Sequence, residues 1–106
     1  MGIEEFSRGK EDFVKVLYYL RKLAENVRNI DWWDLIEELY QKKNEFKFNR
    51  YFRQQVYSIY DFHKRRALPY DPNLINDLIL LRSIGILRRN GDGTYEIDKK
   101  YLEMML

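Results

Sequence analysis

At 106 residues the chain is long enough to bury one hydrophobic core and too short for two domains. Hydrophobic residues make up 45% and charged residues 34%, which sets it apart from disordered chains, and the absence of cysteine excludes a disulfide framework, a thiolate nucleophile and a cysteine zinc site. A formal net charge of +2 is too small to mark a nucleic-acid binder by itself, so the placement of the charges has to decide.

Residues 1–8 are expected to form a mobile lead-in to a single domain spanning 1–106, and the charged start MGIEEFSRGK has no apolar segment of the kind that opens a secretory signal. The longest apolar run, Leu78 to Leu81, is too short for a membrane span, so a cytoplasmic setting is expected. From Lys10 to Val27, the residues Phe13, Val16, Leu17, Leu20, Leu23, Ala24 and Val27 share one helical face. Tyr18 and Tyr19 fall on the opposite face, where two adjacent aromatics suit a dimer or partner contact; the alternative is rings laid along neighbouring side chains. Asp31 is placed to cap a second helix ending at Lys42-Lys43, with Asp34, Glu37 and Glu38 on its outer side.

After a polar, lysine-rich stretch from Gln41 to Asn49, the spacing predicts a third helix over 50–66, with Phe52, Val56, Ile59 and His63 inward. Arg50, Arg53, Gln54, Tyr57, Lys64 and Arg65 then face outward. Between Arg50 and Arg66 the chain carries five basic residues against the single acid Asp61, more positive charge than the whole protein has net. That face suits phosphate contacts interleaved with an aromatic, and the competing use of its cations is surface ion pairing with the acidic second helix. Asp71 and Pro72 open a fourth helix, Gly85 stops it, and the runs Ile86 to Arg89 and Thr94 to Ile97 flank the turn Asn90-Gly91-Asp92-Gly93 as a hairpin over 86–97. Asp98 caps a short last helix from Lys99 to Leu106.

The pattern LxxLxxxGIL, which is Leu78, Leu81, Gly85, Ile86 and Leu87 in this chain, followed by Arg88-Arg89, a Gly/Asp turn and Thr94-Tyr95-Glu96-Ile97, resembles the second half of a winged helix-turn-helix domain. The lysine-, glutamate-, tyrosine- and isoleucine-rich composition resembles that of proteins from heat-loving archaea and their viruses. The resemblance implies a mainly α fold of four to five helices with a C-terminal two-stranded wing. It also implies that the helix before the hairpin is the recognition helix and that the partner is double-stranded DNA. Asn73 and Asn76 would then approach bases and Arg88 and Arg89 would anchor the wing, with a homodimer matching a palindromic site, as in a transcriptional regulator. In the other reading the same fold is an interaction module of a replication or transcription complex, docking a protein partner through Leu80 and the Tyr18/Tyr19 pair.

Catalysis is not expected. One histidine and no cysteine rule out a Cys-His pair and a two-histidine metal site within one protomer. Glu45-Phe46-Lys47 and Asp98-Lys99-Lys100 spell an acid-x-Lys triplet without an evident strand-borne acidic partner, so neither a metal nor a cofactor is expected.

Overall fold

The computed structural model describes residues 11–53, 57–62 and 64–106, with Tyr57 described by its backbone alone. The expected lead-in, Gln54, Val56, His63 and the Tyr57 side chain thus lie outside what is described. Among the described residues five helices and five short strands follow in the order α1 (Glu11–Leu23), β1 (Asn29–Ile30), α2 (Trp32–Gln41), α3 (Lys43–Phe46), β2 (Tyr57–Asp61), β3 (Arg66–Tyr70), α4 (Pro72–Ile84), β4 (Leu87–Arg89), β5 (Tyr95–Ile97) and α5 (Lys99–Met105). The fold is mixed α/β with two small antiparallel sheets: one of three strands in the order β1-β5-β4, and the separate ribbon β2-β3.

The helix ends follow from their capping chemistry. At the start of α2 an Asp31 carboxylate oxygen accepts the amide N–H groups of Trp33 and Asp34 at 3.0 and 3.1 Å, and at the start of α5 Asp98 accepts that of Tyr101 at 2.9 Å. Helix α4 stops at Gly85, whose φ of 93° lies in the left-handed region. There the Ile86 N–H reaches back to the Leu81 carbonyl at 3.0 Å, satisfying a carbonyl that the helix leaves over. Leu17, Leu20, Leu35, Ile36, Leu39, Leu74, Leu78, Leu81, Ile86 and Leu102 are wholly buried, so α1, α2, α4 and α5 enclose one core. Each such side chain contributes about 2 kcal/mol of apolar burial.

None of the described residues between 50 and 66 is helical, against the helix expected over 50–66. A turn with Phe52 at φ 60° takes its first part, and β2 and β3 form a hairpin in the register Tyr57↔Tyr70, Ile59↔Leu68 and Asp61↔Arg66. Several local contacts divert the chain from a helix. The Asp12 carboxylate collects the backbone N–H groups of Asn49, Arg50 and Tyr51, and the Phe52 N–H donates to Asp71 at 3.0 Å. The hairpin turn is set by Asp61, which accepts the Lys64 N–H at 3.2 Å, and by Arg65 at φ 53°. Lys64 then bonds to Asp34 and lies 3.5 Å from Asp31, and Arg66 bonds to Glu37 at 2.7 Å. The ribbon is thereby clamped to the acidic face of α2, the ion-paired use of these cations.

Two further expectations change. Asp71 precedes α4 as its cap residue, but its side chain makes no cap bond there and serves Phe52. Tyr19 does not stand on the outer face of α1. It is 9% exposed, stacked edge-on against Phe46 with centroids 5.3 Å apart, while Tyr18 remains exposed.

Candidate nucleic-acid interface

On a helical wheel Asn73, Asn76, Asp77, Leu80 and Ser83 share the outer side of α4, and the structure shows solvent a different stripe. Asn76, Ile79, Arg82 and Ser83 are exposed and Asn73 and Leu80 half-buried, whereas Asp77, expected on the outer face, is buried and receives a hydrogen bond from the Tyr51 hydroxyl. The cause is Tyr51 itself, wholly buried from the segment after α3, which occupies the space beside Asp77. Burial, then the hydrogen bond and charge of Asp77, raise the Tyr51 hydroxyl well above its ordinary value, so it donates at every physiological pH. With Asp77 turned inward, the exposed stripe carries no acid. The Ser83 hydroxyl donates to the Ile79 carbonyl one turn back at 2.9 Å.

Cations flank both ends of that stripe. At the first turn, an Arg50 guanidinium nitrogen donates to the Asn73 side-chain oxygen at 3.2 Å, holding Asn73 and drawing Arg50 over the start of α4. Arg53 follows close by and borders a shallow hollow of about 270 Å³ with Lys43, Asn44, Lys47, Phe48 and Asn49, whose lining contains no carboxylate. At the other end the β4-β5 hairpin runs beside the C-terminal half of the helix. Its turn is tied by the Asn90 N–H to the Thr94 carbonyl at 2.8 Å and by Asp92, which accepts both the N–H and the hydroxyl of Thr94 at 2.9 and 2.6 Å. Those bonds hold the Asp92 carboxyl below its usual range, so it stays charged as a turn fastener.

Arg82 lies 5.8 Å from the Trp32 ring centroid and 3.3 Å from the Tyr95 hydroxyl. Arg89 is exposed with no ion pair among the described residues, and Arg88 sits 4.0 Å from Glu96 and 3.6 Å from Asp98. An open cleft of about 560 Å³ runs between the β4-β5 hairpin, α4 and the β2-β3 ribbon; Trp33, Ile59, Ile79, Arg82 and Arg89 are among its walls.

The residues singled out from sequence therefore separate. Arg50, Asn73, Asn76, Arg88 and Arg89 border α4, and Arg53 joins a lysine hollow near its start. Lys64 does not belong with them. Burial, its largest single influence, lowers its pKa, but Asp34 and Asp31 together leave it raised, locking the ammonium to α2. Arg65 lies exposed at the tip of the ribbon. Lys43 and Lys47 escaped notice because they read as a helix end and a polar turn, and Arg82 because it sits to one side of the wheel. Tyr18 and Tyr19 border a different surface, a groove of about 440 Å³ between α1, α2 and α3 that also includes Lys15, Lys22, Lys42, Glu38 and Glu45. Among the described residues no helix is long and apolar enough to cross a membrane.

No family, no curated protein and no solved structure matches this chain.

Proposed function

We propose that the protein is a winged-helix DNA-binding protein acting as a transcriptional regulator, with α4 as the recognition helix and β4-β5 as the wing. The observation that carries this reading is the strand order β1-β5-β4 behind a glycine-stopped helix, with cations at both ends of an acid-free outer stripe. At 1.5 Å per residue the 13 residues of α4 span about 20 Å. A helix of that length can cross a major groove about 12 Å wide while its two ends meet the phosphates on either side. Arg50 and Arg53 with Lys43 and Lys47 serve one backbone, and Arg82, Arg88 and Arg89 the other. Asn76, exposed midway, is the group best placed to bond an adenine edge.

The test is fluorescence anisotropy of labelled duplex at several salt concentrations. Binding is expected to weaken steeply with salt, and Arg89→Ala to lower the slope of log K against log salt by about 1, the share of one phosphate contact. Salt-independent binding, or an unchanged slope in the double variant Arg88→Ala with Arg89→Ala, would overturn the reading.

The protein-docking reading draws on a specific observation too: exposed Ile79 and the tryptophan-walled cleft make the middle of this face more apolar than phosphate contact requires. Tight capture of a protein by this face, lost in Ile79→Lys and coupled with weak duplex binding that is indifferent to sequence, would favour it.

A further inference from the structure

Three of the large hydrophobic side chains left exposed fall within four residues of one another: Ile59 at 38%, Tyr60 at 52% and Phe62 at 83%. They sit on β2 and the turn that follows it, and Tyr60 and Phe62 stack edge-to-face with centroids 5.0 Å apart. Among the described residues β2 pairs with β3 alone, so over Ser58 to Tyr60 the outer side of its backbone has no strand beside it. Natural edge strands are usually blunted by lysine, proline or a bulge. The Tyr57-Ser58-Ile59-Tyr60 run has none of these, while β3, packed on α2, carries both Arg66 and Pro69.

We infer that β2 is the seam of a homodimer: two copies pair β2 antiparallel about a twofold axis through Ile59, merging two ribbons into one four-stranded sheet. Only the register centred on Ile59 pairs all five residues of the strand. It sets Ile59 against Ile59 of the second copy, Ser58 against Tyr60, and the Tyr57 position against Asp61. A small residue thus faces a large one, apolar faces apolar, and the self-complementary pattern is what a twofold contact demands. The two Asp61 carboxylates fall four residue steps apart, about 13 Å, beyond the reach of strong repulsion at physiological salt. A foreign peptide of either charge would find no ion partner along residues 57–60, whereas a second copy needs none.

In two copies the exposed parts of Ile59, Tyr60 and Phe62 amount to roughly 700 Å². The strand edges add to this, reaching toward the lower limit of about 1,200 Å² for specific interfaces. The dimer is therefore one that dissociates on dilution. It needs no nucleic acid, and it stands or falls independently of the DNA-binding reading.

The chain has no cysteine, so an introduced thiol is the sole one in each protomer. Sedimentation velocity of the full chain from 5 to 500 μM should show a mass rising from that of the 13.1 kDa monomer toward twice it. Mild oxidation of Ile59→Cys should give a covalent dimer in high yield, and Ser58→Cys, which would face Tyr60, at least fivefold less. Ile59→Lys and Tyr60→Lys, with far-UV circular dichroism unchanged, should each raise the dissociation constant at least tenfold. A monomer at every concentration would overturn the proposal. So would equal cross-linking at 58 and 59, or a dimer indifferent to both lysine variants.

Discussion

Asp12→Ala tests how the segment carrying Arg50 and Arg53 is held. The Asp12 carboxylate is buried in the first turn of α1 and accepts the N–H groups of Asn49, Arg50 and Tyr51 at 2.7, 2.5 and 2.9 Å, across nearly forty residues of chain. A hydrogen bond to a charged group contributes about 1.5–3 kcal/mol net, and a buried donor left without one costs a similar amount. Asn49 and Arg50 are exposed, so their amides can turn to water, but Tyr51 is wholly buried and its amide has no such recourse. The expected loss is therefore about 3–4 kcal/mol, less than three full bonds. For a domain of this size that lowers the midpoint of thermal unfolding by roughly 15–25 °C. Urea unfolding followed by the fluorescence of Trp32 and Trp33, extrapolated to water, measures it. The neighbouring Glu11→Ala removes one exposed bond to the Asn49 side chain and should cost under about 0.5 kcal/mol. A loss below about 1 kcal/mol for Asp12→Ala would refute the view that this carboxylate organises the segment.

Three other outcomes are expected. Gly85→Ala should destabilise by about 1 kcal/mol in urea unfolding, since a Cβ there meets no atom within 4 Å and the whole cost is the left-handed φ of 93°; Gly85→Asn should lose less. Stability should fall as pH rises above 10, because Tyr51 and Tyr19 have folded-state values raised above the ordinary 10.0. The unfolded chain then releases these protons first, and Tyr51→Phe should flatten the decline measured by urea midpoints at pH 8 to 11.5. Glu37→Gln, which leaves Arg66 without its charged partner on α2, should cost under about 1 kcal/mol by the same unfolding assay, since the pair is half in water.

Elements with a strong local rule were legible in the sequence. Asp31, Gly85, Asp98 and the Asn-Gly-Asp-Gly turn sit where the structure has a cap, a stop, a cap and a hairpin turn, and Leu17 and Leu20 of α1 and Leu74, Leu78 and Leu81 of α4 lie in the core. The chain between Asn49 and Tyr70 was not legible, because its structure answers to partners distant in sequence. Phe52, Val56 and Ile59 repeat at a helical interval, yet Ile59 and Tyr60 also suit a strand, and the choice rests on Asp12, Asp71, Asp34 and Glu37, none within the segment. The same applies to the outer stripe of α4: the wheel sets Asp77 outward with Asn73 and Asn76, and Tyr51, distant in sequence, turns it inward. Short β1 had no periodicity to show, and only its pairing with β5 defines it.

Thirty residues separate Gln41 from Pro72, so α2 and α4 do not share a tight joint. Alongside the core that both helices share, a long strut fastened at a few side-chain clasps joins them. Substitutions within that strut can re-aim α4 without altering any residue on its outward stripe. If α4 meets DNA as proposed, a search for variants with shifted target preference should therefore begin at Asp12, Tyr51 and Asp71, well before the side chains that would touch a target.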